Sequence, residues 1–139
     1  MQEQLVNLEE YSEVNSMKIN QAKTKVMIFN NARKYDFYPK LKVSQIELEV
    51  VEEMKLLRVV ITSNLSWNAN TDHITTKAAG RLWLLRRLKI LGASHEQLLD
   101  VYNKQIRSIL EFAAVVWHAG LTKENVNKIE RVQKSAMKD

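Results

Sequence analysis

The sequence predicts an α+β fold, in which an N-terminal helix and a small antiparallel sheet precede a bundle of three helices. Three glycines and one proline in 139 residues leave few tight turns, so we expect long regular elements. Short β-branched runs lie between residues 24 and 62, and the apolar periodicity becomes helical from residue 70 onward. These changes predict an α/β segment over 1–67 and a helical segment over 68–139.

The first segment is expected to contain one helix followed by strands. An apolar residue stands at every third position near the N-terminus: Leu5, Leu8, Tyr11 and Val14. That spacing predicts an amphipathic helix over 2–15. Residues 24–30 are apolar on both faces and predict a strand buried on both sides. Residues 46–50 alternate apolar and acidic side chains, and we expect them to pair with the apolar run 54–62 as an antiparallel hairpin.

The second segment carries signals for the beginning and the end of its helices. The first helix is expected to begin at Asn70 and to end before Gly92, because glycine suits the positive φ that follows many helices. Ser94 and Gln97 have the spacing of a capping box at the start of the second helix. One face of that helix is apolar: Leu98, Tyr102, Ile106, Ile109, Ala113 and Val116.

The last helix is expected to follow a break at Gly120 and to be capped by Thr122. Its apolar stripe consists of Val126, Ile129, Val132 and Ala136. Because this stripe continues to the last residues, we expect the chain to be a piece of a larger domain.

The composition excludes several functional classes. The chain has no cysteine, which removes disulfides, thiolate zinc sites and cysteine nucleophiles. No apolar run approaches the length of a membrane helix, and Glu3, Glu9 and Glu10 stand where a secretory signal would be basic. The three histidines lie 22 and 23 residues apart, without metal-ligand spacing. No glycine-rich phosphate loop or nucleophile motif is present, so we expect a soluble intracellular domain with no complete active site.

Positive charge is concentrated in two blocks separated by acidic segments. Residues 17–42 carry a net charge of +6 and residues 73–92 carry +5, which favours contact with an anionic partner. The bases of the second block do not form one stripe, and basic side chains that extend around a buried helix are the ordinary alternative. The loop at 31–40 is basic and aromatic: Arg33, Lys34, Tyr35, Phe37 and Tyr38. These aromatic side chains either stack on bases or are only solvated.

The order of five short segments carries a resemblance to a known family. The segments are 17–29 (MKINQAKTKVMIF), 50–67, 82–88 (LWLLRRL), 102–117 and 129–133 (IERVQ). In this order they resemble the downstream part of the reverse transcriptase of LINE-type, jockey-like non-LTR retrotransposons. The first segment is similar to the fourth conserved motif of the palm, the second to the primer-grip hairpin, and the others to the thumb.

The resemblance implies an enzyme that copies an RNA template into DNA from a nicked DNA primer, with two Mg²⁺ ions. The aspartates that hold these ions include a [YF]-A-D-D turn, which the resemblance places upstream of residue 1. The sequence has no adjacent aspartates, so we expect this segment to hold no cofactor and to be inactive alone. Its implied partners are the RNA template–DNA primer duplex and the missing palm and fingers, with no membrane. A nuclear location is compatible with the family.

The resemblance also gives candidate roles to single residues. Lys23 matches the motif lysine that is positioned to protonate the leaving pyrophosphate, although a solvated lysine before a strand is the ordinary alternative. The primer-grip candidates are Lys55, Thr62 and Trp67. The thumb candidates for contact with the duplex backbone are Lys77, Arg81, Arg86 and Arg87.

Arg58 departs from the family, which has glycine at this position. If the backbone there requires a positive φ, arginine distorts the grip. Together with the missing catalytic aspartates, this departure indicates a decayed or misassembled copy.

A hypothesis from a different class is a helical protein-interaction module that uses the apolar surface left by the missing palm. Its mark is self-association that salt does not weaken, whereas binding to phosphates weakens steeply with salt. The basic block at 73–92 favours the nucleic-acid hypothesis over this one.

Overall fold

The structure is a computed structural model that describes residues 1–29 and 40–138. It belongs to the predicted α+β class, with an N-terminal helix, two small antiparallel sheets and several further helices. The chain divides into two compact units. The first unit is Met1–Met54 with Ser63–Leu65, and the second is Lys55–Thr62 with Ser66–Asp139. The basic and aromatic loop predicted at 31–40 lies outside the described residues except for Lys40.

The first unit is built on helix α1 (Gln2–Val14), which confirms the predicted N-terminal helix. Strands β1 (Lys42–Val43) and β2 (Ile46–Glu47) form an antiparallel hairpin. The backbone N–H and the hydroxyl of Ser44, in the turn of this hairpin, both donate to the Glu9 carboxylate. A small core lies beneath: Leu41, Val43 and Leu48, with Leu5, Ile19 and Val26 packed against it.

The strand predicted over 24–30 is wrong for the residues described. A single parallel bridge joins Val26 to Val50, through hydrogen bonds from Val26 N–H to the Glu49 carbonyl (2.9 Å) and from Val51 N–H to the Val26 carbonyl (2.8 Å). Phe29 is 56% exposed. A strand buried on both faces needs neighbouring strands and a layer on each side, and the described residues of this unit provide one bridge.

The predicted pairing of 46–50 with 54–62 is also wrong. The second run folds back on itself as strands β3 (Glu53–Leu56) and β4 (Val59–Thr62). Leu57 and Arg58 form the connecting turn with φ of 47° and 72°. Tight hairpin turns with two positive φ angles normally contain asparagine, aspartate or glycine, so Leu57 and Arg58 do not signal a turn.

The helix predicted from Asn70 to residue 91 is two helices, α2 (Asn68–Ala79) and α3 (Leu82–Ile90). The chain turns at Gly80 and Arg81, where Arg81 N–H donates to the Ala78 carbonyl at 2.9 Å. The break brings Leu82 and Leu85 into one core with Ala78. If this segment were one continuous helix, its apolar residues would lie on all sides of that helix instead of forming one stripe. The break between α2 and α3 explains this pattern. Gly92 follows α3 with φ of 83°, as predicted.

The next predicted helix is interrupted in the middle. Helix α4 (His95–Tyr102) begins with the predicted capping box at Ser94 and Gln97. It continues into a π-helical turn (Asn103–Arg107) and the short helix α5 (Ser108–Leu110). The π-helical turn adds residues to the turn and therefore changes the side-chain register.

A left-handed residue, Ala113 with φ of 52°, separates α5 from helix α6 (Ala114–Trp117). Trp117 is therefore buried, with 2% of its surface exposed, whereas Val116 is 56% exposed. The prediction that Val116 belongs to the apolar stripe is wrong for this reason. A 3₁₀ turn (His118–Gly120) completes the segment.

Helix α7 (Lys123–Lys138) packs against α2. Thr122 caps it as predicted, because its hydroxyl accepts the N–H of Asn125 at 3.3 Å. The buried Asn125 side chain donates to the Asn68 side-chain oxygen at 2.8 Å, and Lys128 donates to Asp72 at 2.7 Å. Among the described residues, no helix combines the length and the apolar character needed to span a bilayer.

We predict that Gly120→Ala destabilises the second unit. A Cβ at this position would lie 2.5 Å from Nε1 of Trp67, so the indole would have to move, at a cost of about 1–3 kcal/mol in the free energy of unfolding. Gly80→Ala is the matched control, because its Cβ would meet nothing closer than 3.5 Å. Urea denaturation followed by tryptophan fluorescence measures both variants. Equal free energies of unfolding for the two would contradict the prediction.

Candidate nucleic-acid interface

The second unit contains a cavity of about 210 Å³ at the turn of the β3–β4 hairpin. Its lining comes from that turn, from α2 and from the segment that includes α5: Arg58, His73, Ile74, Lys77, Ser108, Ile109 and Phe112. We refer to this cavity as the basic pocket. Among the residues that the structure describes, its lining contains two full positive charges, from Arg58 and Lys77, and no carboxylate.

Helix α2 places two of the polar groups of the basic pocket. His73 and Lys77 are four residues apart and therefore lie one above the other on the helix. The neighbouring face of α2 is buried and carries Ile74 and Ala78. The Asn70 side-chain oxygen, also on that buried face, accepts the N–H of Val60 at 3.1 Å. This bond ties α2 to β4, so the hairpin turn remains beside the helix.

Arg58 lies at the rim of the pocket, against Phe112. The guanidinium carbon is 5.9 Å from the centroid of the Phe112 ring, which is within the range of a cation–π interaction. The Phe112 carbonyl accepts the indole N–H of Trp117 at 2.9 Å, so the buried Trp117 helps to hold this segment. Ser108 donates its hydroxyl proton to the Lys104 carbonyl at 2.6 Å. The groups free to donate to a ligand are therefore on Arg58, His73 and Lys77.

His73 is in contact with a second lysine. Lys55, on β3, places Nζ 3.1 Å from Nε2 of His73. Because an ammonium group only donates, Nε2 is the acceptor, and the neutral imidazole carries its proton on Nδ1. Burial lowers the pKa of His73 below its ordinary value, and the charges of Lys55 and Lys77 lower it further. His73 is therefore an uncharged donor at neutral pH.

The carboxylate next to His73 in sequence is engaged elsewhere. Asp72 accepts a hydrogen bond from Lys128 of α7 at 2.7 Å, and this bond raises the pKa of Lys128. Since Asp72 is held by α7 and is not part of the lining, it does not offset the positive charge of the basic pocket.

Two of the residues implied by the resemblance meet in this region. The charges of Lys55 and Lys77 both lower the pKa of His73. Arg81, Arg86 and Arg87 are exposed in the same unit but are not part of the lining. Lys23 belongs to the first unit, where it is exposed and its backbone N–H donates to the Asn20 side chain at 3.1 Å.

The other two primer-grip candidates make internal contacts. Thr62, at the end of β4, donates its hydroxyl to the Ser66 carbonyl at 2.7 Å. Trp67 is half-buried and packs in a cluster with Val59, Ile74 and Trp117. Its indole lies so close to Gly120 that no Cβ fits there without movement.

Sequence reasoning missed the other members of the basic pocket. At Arg58 the sequence shows only a departure from the family's glycine, and the backbone there does have a positive φ. The spacing of His73 and Lys77 on one helix was readable from the sequence. Ser108 and Phe112 were not, because their positions depend on the π-helical turn and on the left-handed Ala113.

A search for metal-binding clusters covered the described residues. Among residues 1–29 and 40–138, no group of three or more histidine, aspartate or glutamate side chains is placed to hold an ion.

Comparisons of the chain with protein-family models, curated proteins and solved structures give no match. No relative therefore assigns a role to the basic pocket.

We predict that Arg58→Gly is more stable than Arg58→Ala. Both variants lose the cation–π contact with Phe112, but alanine keeps the Cβ that is strained at φ of 72°. Glycine relieves that strain, which corresponds to about 1 kcal/mol in the free energy of unfolding. Urea denaturation of the two variants measures the difference. If they unfold at the same urea concentration with equal slopes, the turn is not strained at Arg58.

We predict that His73 makes the second unit less stable in mild acid. Its lowered pKa means that the unfolded chain, with a histidine pKa near 6.5, binds the proton more readily than the folded chain does. The free energy of unfolding therefore falls as the pH drops through 6.5 towards the lower pKa of the folded state. His73→Gln lacks this contribution. Thermal unfolding between about pH 7.5 and about pH 5.5 should show a larger loss for the unmodified chain, and equal losses would contradict the account.

Proposed function

We propose that the chain is a segment of a non-LTR retrotransposon reverse transcriptase that binds an RNA template–DNA primer duplex and does not catalyse polymerisation by itself. One observation carries the proposal. Arg58, His73 and Lys77 line the basic pocket, Lys55 contacts His73, and the part of the lining that the structure describes has no carboxylate. Clustered positive charge without an internal counterion is the arrangement that phosphate groups neutralise.

The chemistry of the donors supports a phosphate ligand. The Arg58 guanidinium offers a planar set of N–H groups that matches two oxygens of a phosphate. The Lys77 ammonium supplies a second full charge, and neutral His73 supplies one N–H. Each phosphate that binds releases condensed counterions from the duplex, which is the main source of affinity in such interfaces.

The order of elements around the pocket also supports the proposal. A β-hairpin is followed directly by helices, the order in which the resemblance places a primer grip before a thumb. We propose that β3 and β4 correspond to the primer grip and that α2 to α7 correspond to a thumb-like bundle. Arg81, Arg86 and Arg87, which are exposed on the same unit, would extend the contact along the duplex backbone.

Catalysis is proposed only for a complete enzyme. Lys23 remains the candidate general acid by resemblance, and its exposed side chain leaves the ammonium group accessible. The Mg²⁺ ions and the aspartates that hold them would come from the missing palm.

A protein-interaction module is the second candidate function. It is favoured by a cavity of about 530 Å³ between α3, α4 and the end of α7, with mostly apolar lining from residues that include Leu85, Leu98 and Met137. Exposed Trp83 and Ile90 add apolar surface on α3. Such a module would self-associate or bind a protein through contacts that salt does not weaken.

We predict that the chain binds an RNA–DNA hybrid with an affinity that falls steeply with salt. Lys77→Gln should weaken binding by at least about tenfold, because a hydrogen bond to a charged group contributes about 1.5–3 kcal/mol. It should also reduce the slope of log Kobs against log[salt] by about 0.9. Fluorescence anisotropy between about 50 and 200 mM salt measures both quantities.

Lys134→Gln is the matched control for this experiment. Lys134 is an exposed lysine that is paired with Glu130 at 2.8 Å and does not line the basic pocket. It should leave the affinity and the slope close to those of the unmodified chain. Absence of hybrid binding at about 50 mM salt, together with salt-insensitive self-association, would refute the proposal in favour of the interaction module.

A further inference from the structure

We propose that the basic pocket binds the terminal phosphate monoester of a nucleic-acid strand in preference to the phosphodiesters within it. The inference rests on the proposed function, because it specifies which phosphate of a bound nucleic acid occupies the pocket. Three features of the pocket carry it: its charge, the number of its donors and its size.

The charge of the pocket exceeds what one phosphodiester neutralises. Three cations lie at the pocket: Arg58 and Lys77 in the lining, and Lys55 in contact with His73. Within residues 1–29 and 40–138, the lining has no carboxylate. A phosphodiester carries one negative charge, whereas a terminal phosphate carries about 1.5 to 2 at pH 7. The Coulomb attraction increases in proportion to the ligand charge, so the same three cations favour the monoester.

The mutual repulsion of these groups points in the same direction. The positive charges of Lys55 and Lys77 oppose protonation of His73, which would add a third positive charge. A dianion in the pocket would offset that repulsion more completely than a monoanion does.

The donors of the pocket exceed what the free oxygens of a phosphodiester can use. A phosphodiester has two oxygens outside its ester bonds, which the Arg58 guanidinium alone can bind, whereas a terminal phosphate has a third oxygen for Lys77 or His73. Three side chains can donate, since Ser108 has already committed its proton to the Lys104 carbonyl at 2.6 Å. They are Arg58, Lys77 and His73, whose Nδ1 carries the proton because Lys55 occupies Nε2 at 3.1 Å.

The size of the pocket and its rim favour a strand end. A cavity of about 210 Å³ is below the range that usually holds a whole drug-sized ligand, so it accommodates a phosphate with little more than the attached sugar. An internal phosphodiester would bring a nucleoside on each side, whereas a terminal phosphate brings one. The Phe112 ring, 41% exposed at the pocket, offers a surface against which that one nucleoside can stack.

The experiment compares strand ends on one hybrid. Three versions of the same RNA–DNA hybrid carry a 5′-phosphate, a 3′-phosphate or only hydroxyl ends, and their affinities for the full chain are measured by competition anisotropy near pH 7.5, where the monoester is doubly charged. We expect one phosphorylated end to compete about tenfold better than the hydroxyl end. The 5′ and 3′ versions distinguish which end the pocket takes, and a preference for either supports the inference.

Variants place the preference at the basic pocket. Arg58→Ala and Lys77→Gln should reduce the ratio of affinities for phosphorylated and hydroxyl ends to near one. Arg87→Gln, an exposed arginine outside the lining, should lower both affinities alike and keep the ratio. Urea denaturation establishes that each variant is folded under the binding conditions.

The outcomes separate this inference from the proposed function. Hybrid binding with equal affinity for all three ends overturns the inference and leaves the proposed function standing. A preference for the phosphorylated end that survives both Arg58→Ala and Lys77→Gln also overturns it, because the phosphate must then bind elsewhere. If the unmodified chain does not bind the hybrid at all, the proposed function and the inference are both refuted.

Discussion

The buried face of α2 is the constraint on which the second unit depends. Four of its side chains are almost completely buried: Asn70, Thr71, Ile74 and Ala78. Ile74 and Ala78 belong to the two apolar clusters of the unit, and Asn70 binds the backbone of β4 at 3.1 Å. Asn68 and Asp72 bind α7 through Asn125 and Lys128. One helix therefore fixes the hairpin on one side and the last helix on another.

The same constraint produces the basic pocket. His73 precedes Ile74 and Lys77 precedes Ala78, so burial of the apolar residue in each pair directs its polar neighbour towards the hairpin turn. The hairpin in turn presents Arg58 in a backbone conformation that non-glycine residues seldom adopt. The strained arginine opposes folding, and the lowered pKa of His73 opposes folding in mild acid, where the unfolded chain binds the proton more readily than the folded chain does. Burial of the apolar clusters offsets these costs. An anionic ligand would offset the repulsion between protonated His73 and the nearby lysines.

Local signals in the sequence predicted the ends of elements well. The correct predictions all depend on residues close to one another in the chain. They are the helix at Gln2–Val14, the glycine after α3, the capping box at Ser94 and the cap at Thr122. The pairing predicted for 46–50 and 54–62 was wrong, because the turn at Leu57 and Arg58 lacks the residues that normally signal a hairpin.

The helix breaks were missed for a related reason. Neither the π-helical turn nor the left-handed Ala113 has a sequence signature, yet together they bring Trp117 inside and leave Val116 outside. For the candidate site, the resemblance identified Lys55 and Lys77. Their position next to Arg58, His73 and Phe112 depends on contacts between residues far apart in the chain. Periodicity and local spacing do not predict such contacts.

The central claim is that nucleic acid binds this chain at the basic pocket. Mapping of ¹H–¹⁵N chemical shifts during titration with an RNA–DNA hybrid tests it most directly, because it locates the contact without altering the protein. The account predicts that the largest shifts fall on the backbone signals of Arg58, His73, Lys77, Ser108 and Phe112. Shifts confined to other parts of the chain, with these five signals unmoved at saturation, would contradict it.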